Sequence, residues 1–129
     1  MTSVHQHAIA IARTAATKAH QKQFRKDGKT PYIVHPARVA DRVKFFGGSH
    51  IGIIAAWLHD VMEDCEGGEA IVRETIRETG LSQQERDEIF AIVSALTKKS
   101  GIPVKSKRRI VYFLKRPDDD GLYLLKRVI

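Results

Sequence analysis

The stretch AAWLHDVMED (residues 55–64) joins a strongly apolar run to four side chains that can bind a metal ion or carry a proton. The apolar run covers residues 51–58 and is typical of a helix buried on most sides. The four polar side chains are His59, Asp60, Glu63 and Asp64. On a helix, side chains at i and i+4 share a face, so we predict that Asp60 lies beside Asp64 and His59 beside Glu63. Because a buried carboxylate needs a cation, hydrogen bonds or a metal to compensate it, this helix end is the first candidate for a functional site.

The composition favours one folded domain with no membrane partner. The chain has 129 residues, of which 43% are hydrophobic, enough for one core and too apolar for a disordered chain. No apolar run reaches the roughly 18–20 residues of a membrane span, and the N-terminus lacks the basic start and apolar stretch of a signal peptide. Cys65 is the single cysteine, which fits a reducing compartment. We therefore expect a cytoplasmic protein.

The charge is unevenly distributed. The net charge is +7, and a surplus of this size favours anionic partners such as a nucleic acid, a membrane surface or a phosphate-rich small molecule. The acidic residues concentrate in 60–88 and 118–120, whereas 98–109 (KKSGIPVKSKRR) is basic without an acid. This basic segment either receives an anion or forms an ordinary solvated loop.

The apolar periodicity is helical almost throughout and predicts a single all-α domain of about six or seven helices. The first helix is expected to turn one face inward, formed by Val4, Ala8, Ile11, Ala15 and Ala19. A second helix starts near His35–Pro36, since proline is favoured in a first turn, and its apolar stripe consists of Val39, Ala40, Val43 and Phe46.

The remaining helices are placed by their caps. Ser49 is the predicted cap of a third helix that runs to about Asp64, and glycines at 67–68 and 80 bracket a fourth. Ser82 and Glu85 form a capping-box pattern at the start of a fifth helix, with Ile89, Ile92, Val93 and Leu96 inward. We predict a sixth helix over 106–116 and a last one after 118–120.

Two motifs together resemble a known family. FRKDGKTPYIVHPARVA (24–40) contains His35, and the His59–Asp60 pair follows 24 residues later. This spacing resembles the HD-domain metal-dependent phosphohydrolases. The residues of the two motifs, 24–40 and 55–64, are similar to those of the guanosine tetraphosphate hydrolase domain of the RelA/SpoT family, including its small stand-alone hydrolases. The resemblance covers residues from about 5 to 100 in order and extends to IVSALTKKS (92–100).

The resemblance implies a role for each matching residue. His35, His59 and Asp60 would be ligands of Mn²⁺ or another divalent metal, and Glu63 and Asp64 would support water activation. Contacts to the guanine nucleotide would come from Arg25, Lys26 and Asp27. From charge alone, we add Lys98 as a phosphate contact, together with Lys99 and Lys105.

Each assignment has a structural alternative. Arg25 and Lys26 are alternatively ordinary loop cations, Glu63 and Asp64 the solvated end of a helix, and His35 a structural residue near Pro36. The histidines that match no ligand position of the family are interpreted as surface or structural residues: His5, His7, His20 and His50.

The family pattern fails at the last ligand. Its fourth metal ligand is an Asp in a late helix, in a segment like LLKLADRLHNL. This chain reads GLYLLKRVI at 121–129, which places Ile129 at that position, and the acids at 118–120 are out of register. We therefore expect an HD-type domain over 1–129 whose C-terminal part is missing or divergent. The apolar surface left uncovered would favour a homo-oligomer.

The leading functional hypothesis is hydrolysis of the 3′-pyrophosphate of guanosine tetra- or pentaphosphate. One alternative is an HD-type phosphohydrolase for another nucleotide. The other is a nucleotide-binding or regulatory domain that is catalytically impaired by loss of the fourth ligand. The expected partner is a small guanine nucleotide, and nucleic acid is not expected because no recognised motif for it is present.

Overall fold

The computed structural model describes residues 1–97 in full and the backbone of residues 110–115 and 122–128. Its elements in chain order are α1 (Ser3–Ala19), α2 (Val34–Phe45), α3 (His50–Leu58), α4 (Val61–Asp64), α5 (Gly68–Glu78), α6 (Gln83–Leu96), β1 (Ile110–Lys115) and β2 (Leu122–Val128). The predicted all-α class is confirmed in this helical body. Of the helices described, none is both long and apolar enough to cross a membrane.

Helix α3 forms the centre of the fold. It packs against α1, α2 and α6, and Ile54 and Leu58 are fully buried. Of its residues between 51 and 58, only Trp57 is partly exposed. The apolar run 51–58 is thus buried on nearly all sides, as predicted, and it fixes the position of the polar residues that follow it.

Helix α1 faces the core differently from the prediction. The face that is buried consists of Ala8, Ala12 and Ala16, whereas Val4 is 56% exposed. Alanines at this spacing let the α1 backbone approach α3 and α5 closely. The larger residues Ile9 and Ile11 lie at the edges of this face and are only partly buried. The prediction is therefore right for Ala8 and wrong for Val4, and the buried face is rotated about the helix axis toward Ala12 and Ala16.

Helix α2 follows its prediction except at its end. Val39, Ala40 and Val43 are buried, but Phe46 is 52% exposed and is not part of the core stripe. The helix ends at Phe45, and Gly47 reverses the chain with φ of 84°, so Phe46 follows the last helical turn instead of lying on its inner face.

The predicted third helix is interrupted within residues 55–64. Helix α3 ends at Leu58, and α4 starts at Val61. The Nδ1–H of His59 donates to the Ala56 carbonyl at 2.6 Å, which competes for the acceptor that a continuous helix would give to the amide of Asp60. The amide of Asp64 still donates to the Asp60 carbonyl at 2.8 Å, so the two acids keep helical spacing.

The α4–α5 connection depends on glycine. Gly67 precedes α5 with φ of 68°, a left-handed conformation that glycine adopts without strain. A Cβ at Gly68 would collide with the backbone of Val61 and Met62. The short α4 can therefore lie directly against the start of α5.

The capping box of α6 is confirmed. The Ser82 hydroxyl accepts from the Glu85 amide at 3.2 Å, and the Ser82 amide donates to Glu85 Oε1 at 3.2 Å. Ile89, Ile92 and Val93 are buried, as predicted. At α3 the cap position Ser49 is correct, but its side chain makes no capping hydrogen bond.

The helices predicted over 106–116 and after 118–120 are wrong where the structure describes them. β1 and β2 pair antiparallel, with Ile110 opposite Val128 and Tyr112 opposite Leu125. IVYFLK in β1 is rich in β-branched and aromatic residues, which fit a strand as well as a helical stripe. The region expected to supply the fourth ligand therefore includes a strand, while Ile129 and 118–120 lie outside the described residues.

Candidate metal centre

The sequence-predicted metal ligands come together at one end of α3. His35 lies in the first turn of α2, His59 follows α3, and Asp60 precedes α4. One ligand atom of each lies within 4.8 Å of the others. The fold thus joins two motifs that are 24 residues apart in the sequence.

The three side chains meet at one carboxylate oxygen. Asp60 Oδ2 lies 3.2 Å from His59 Nε2 and 3.5 Å from His35 Nε2. Asp60 is 7% exposed and His59 3%. A buried carboxylate and two imidazole nitrogens around one point are a ligand set that divalent metals such as Mn²⁺, Fe²⁺ and Zn²⁺ accept.

His59 supports the fit of a metal ion. Because a carbonyl only accepts, its bond to Ala56 assigns the hydrogen of the ring to Nδ1 and turns Nε2 toward Asp60. That nitrogen is buried and has no well-aligned hydrogen bond among the described residues, although it lies close to Asp60 Oδ2. The second nitrogen of a metal-binding histidine is commonly fixed by such a carbonyl.

The electrostatics differ among the three candidate ligands. Burial, reinforced by the neighbouring His59, lowers the pKa of His35 to about 4, so this ring is neutral at pH 7 and has a free lone pair. Burial opposes ionisation of Asp60, but His59 and Tyr32 outweigh it and hold the pKa of Asp60 below its usual range. For His59, burial is outweighed by Asp60, which raises the pKa of His59. A cation at this point would displace the proton of His59 from Nε2, because a histidine binds a metal ion through a deprotonated nitrogen.

Tyr32 is a further residue of the site, which the sequence did not lead us to predict. Its hydroxyl donates to Asp60 Oδ2 at 2.6 Å and lies 3.4 Å from Asp64 Oδ2. Burial and the Asp60 charge raise the pKa of Tyr32, so the phenol remains a hydrogen-bond donor. The available clue was its position in TPYIVHP, three residues before His35.

A buried histidine, His20, is linked through Gln23 to the end of α4, next to the candidate metal centre. His20 is 1% exposed, and its Nδ1 donates to Gln23 Oε1 at 2.8 Å. The Gln23 amide then donates to the Asp64 carbonyl at 3.1 Å. His20 is therefore structural, one of the two roles expected for it, and it connects the end of α1 to the end of α4.

The acids after the ligand pair differ in exposure. Glu63 is half-buried and Asp64 is exposed. The contact of Tyr32 with both Asp60 and Asp64 confirms that these two acids lie on one side. The placement of His59 beside Glu63 stays a prediction.

The loop before Tyr32 carries the predicted nucleotide contacts. Arg25, Lys26 and Asp27 are exposed, and the Arg25 guanidinium carbon lies 5.8 Å from the centre of the Tyr32 ring. Asp27 instead binds its own loop, accepting from the amides of Lys29 and Thr30 at 2.8 Å each. The structure thus places Arg25 beside Tyr32 of the candidate metal centre. Asp27 has a structural role, because its carboxylate binds amides of its own loop.

The phosphate contacts predicted from charge are three lysines after α6. Lys98, Lys99 and Lys105 lie outside the described residues. Their roles stay predictions.

Comparison with known proteins gives matches in sequence. The family profile described as HD domain matches residues 12–111. A guanosine-3′,5′-bis(diphosphate) 3′-pyrophosphohydrolase of Aquifex aeolicus is 34% identical over 126 residues, which cover 94% of this chain and 17% of that protein. No solved structure gave a significant match.

Two shorter matches cover less of the chain. A protein of the same name from Haemophilus influenzae is 47% identical over 49 residues, or 38% of this chain and 7% of that protein. A probable guanosine-3′,5′-bis(diphosphate) 3′-pyrophosphohydrolase of Synechocystis is 47% identical over 58 residues, or 45% of this chain and 8% of that protein. The chain therefore spans less than a fifth of the length of the relatives it matches.

Proposed function

The chain belongs to the HD domain family, and we propose that it hydrolyses the 3′-pyrophosphate of guanosine tetra- or pentaphosphate with a bound divalent metal ion. The observation that carries the proposal is the convergence of His35, His59 and Asp60, with His59 Nε2 buried and without a well-aligned partner among the described residues. The names of the relatives supply the substrate class.

The three converging residues would hold the metal. Mn²⁺ is our first choice because a carboxylate oxygen suits hard ions and imidazole suits softer ones. When bound, such an ion polarises a phosphoryl oxygen and acidifies a water molecule. Tyr32 keeps Asp60 oriented for this task through its 2.6 Å hydrogen bond.

The following acids would handle the proton of the attacking water. In the reaction, water attacks the phosphorus bound to the 3′ oxygen, the phosphorus–oxygen bond breaks, and pyrophosphate leaves. We assign Glu63 and Asp64 to accept the proton of the water, since carboxylates beside a metal site commonly act as general bases. The released 3′ oxygen is then protonated to the hydroxyl.

Arg25 is our candidate for recognition of the base. Its guanidinium is exposed beside the Tyr32 ring, and a planar cation can stack on a nucleobase in a way that lysine cannot reproduce. Lys26, exposed next to it, would add positive charge for the phosphates. We propose no direct nucleotide contact for Asp27 beyond its support of this loop.

The test is hydrolysis of guanosine tetraphosphate in the presence of Mn²⁺. The variant His59→Ala is expected to lose turnover, whereas His7→Ala, an exposed histidine on α1, is expected to keep it. Equal turnover of the two variants would refute the assignment.

A second candidate is an HD-type hydrolase for another phosphorylated nucleotide. It is favoured by Asp27, whose carboxylate is engaged within its own loop, which leaves Arg25 and Lys26 as the exposed contacts. If Arg25→Ala leaves the preference among guanine, adenine and pyrimidine nucleotides unchanged, this candidate replaces the first. Metal content of the purified chain tests the remaining alternative, an impaired regulatory domain, which predicts substoichiometric metal.

A further inference from the structure

A second group of metal-binding side chains lies at the opposite end of α3. His5 belongs to α1, His50 is the first residue of α3, and Glu85 lies in the first turn of α6. One ligand atom of each lies within 4.8 Å of the others. Helix α3 thus begins at this cluster and ends at the candidate metal centre.

The carboxylate of the cluster is already oriented. Glu85 Oε1 accepts from the amide and the hydroxyl of Ser82 at 3.2 and 3.0 Å, while Oε2 lies 2.7 Å from His50 Nε2. The capping box therefore holds one oxygen and leaves the other directed at the histidine. Outer contacts of this kind orient the ligands of metal sites.

The two imidazoles are held face to face. The ring centres of His5 and His50 lie 3.6 Å apart, with an angle of 6° between the planes. The His50 side chain is 11% exposed and that of Glu85 27%, so the group is largely withdrawn from solvent. The stacked rings bring two imidazoles from different helices to one side of Glu85.

We propose that His5, His50 and Glu85 form a second metal site, which binds Zn²⁺ and ties the N-terminal ends of α1, α3 and α6 together. Two histidines and a glutamate are a ligand set that zinc uses, with a water molecule in the fourth position. Zinc–ligand distances of about 2.0–2.2 Å require donor atoms about 3.3 Å apart in a tetrahedral site. The ligand atoms lie within 4.8 Å of one another, and binding would turn the stacked rings of His5 and His50 until both lone pairs point at one ion.

This site is separate from the proposed hydrolase centre. It shares no ligand with His35, His59 and Asp60, and its expected effect is on stability. Zinc would add a link between three helix ends where His50 Nε2 lies 2.7 Å from Glu85 Oε2 and the rings of His5 and His50 are stacked. The inference stands whether or not the proposed function is correct.

The experiment counts the zinc ions bound by the full chain. Titration against a chelating indicator should show one ion fewer in His5→Ala than in the wild-type chain, or a Kd weaker by at least about 10-fold at one site. The matched control is His7→Ala, which removes an exposed histidine two residues away and should bind as the wild type does. His59→Ala should keep the ion at the second site.

The thermal readout gives an independent test. Zinc should raise the Tm of His7→Ala more than that of His5→Ala, each compared with the Tm of the same variant in the metal-free state. Should His5→Ala fail to fold, Glu85→Gln takes its place, since the amide oxygen can still accept from Ser82. Equal zinc binding by the variant and His7→Ala, or loss of all zinc in His59→Ala, would overturn the proposal.

Discussion

Replacing Tyr32 with phenylalanine removes one oxygen atom from the candidate metal centre. The Tyr32 hydroxyl donates to Asp60 Oδ2 at 2.6 Å and lies 3.4 Å from Asp64 Oδ2. Phenylalanine keeps the ring, which packs 4.9 Å from His20 and 5.8 Å from His35 between ring centres. The change is therefore confined to the hydrogen bond.

The magnitude follows from the burial of the acceptor. The Asp60 side chain is 10% exposed, and a hydrogen bond to a charged group contributes about 1.5–3 kcal/mol. Asp60 still has both histidines after the change, so we expect the lower part of this range, about 1.5–2 kcal/mol of unfolding free energy without metal. This corresponds to a fall in Tm of about 4–8 °C. Loss of such an orienting contact also costs roughly 10–100-fold in metal affinity.

The assay is a Mn²⁺ titration followed by electron paramagnetic resonance of the free ion, together with calorimetry of the metal-free chain. The control is Thr17→Ala, which removes an exposed hydroxyl bonded to the Arg13 carbonyl on α1 and should leave Mn²⁺ affinity unchanged. A Kd of Tyr32→Phe within twofold of the wild type would show that Tyr32 does not orient a metal ligand.

Three further predictions concern other parts of the chain. Glu63→Gln and Asp64→Asn should both keep full Mn²⁺ content. The variant that removes the general base should lower kcat by about 10²–10⁴-fold, and unchanged kcat in both variants would refute the proposed role. The Thr30 hydroxyl, with the amides of Thr30 and Lys29, lowers the pKa of Asp27 to about 2. The loop around Asp27 should therefore be fully ordered above about pH 4, the pKa of an aspartate in the unfolded chain. It should lose its order as the pH falls through about 2. The Thr30 amide shift in NMR measures this, and a midpoint near 4 would contradict it. Ser82→Ala should lower the unfolding free energy by about 1 kcal/mol through loss of the capping bond to Glu85, and an unchanged urea midpoint would count against that cap.

Local chemistry made several elements predictable. The Ser82–Glu85 pattern and Pro36 act within one helical turn, so the sequence alone located the start of α6 and α2. The run 51–58 is apolar on every side, so its burial needed no knowledge of its neighbours. The family resemblance carried by His35 and the His59–Asp60 pair likewise predicted the candidate ligands, and the fold brings one ligand atom of each within 4.8 Å of the others.

Other features depend on partners far away in the sequence. In α1, both the stripe through Val4 and Ile11 and the face through Ala12 and Ala16 are consistent with a 3.6-residue period, and the packing against α3 and α5 decided between them. Residues 110–115 contain Ile, Val, Tyr and Phe, which suit a strand as much as a helix, and pairing with 122–128 decided for the strand. The break after Leu58 follows from the hydrogen bond of the His59 ring to the Ala56 carbonyl.

The sequence by itself determined the all-α class and the central helix and predicted the candidate metal ligands, because these depend on residue type and on spacing along the chain. Only the tertiary structure decided which side chains from distant segments meet. Tyr32 reaches Asp60 across 28 positions of sequence, and His50 meets Glu85 across 35. Such contacts arise from the packing of helices against α3, and no periodicity in a single segment contains them.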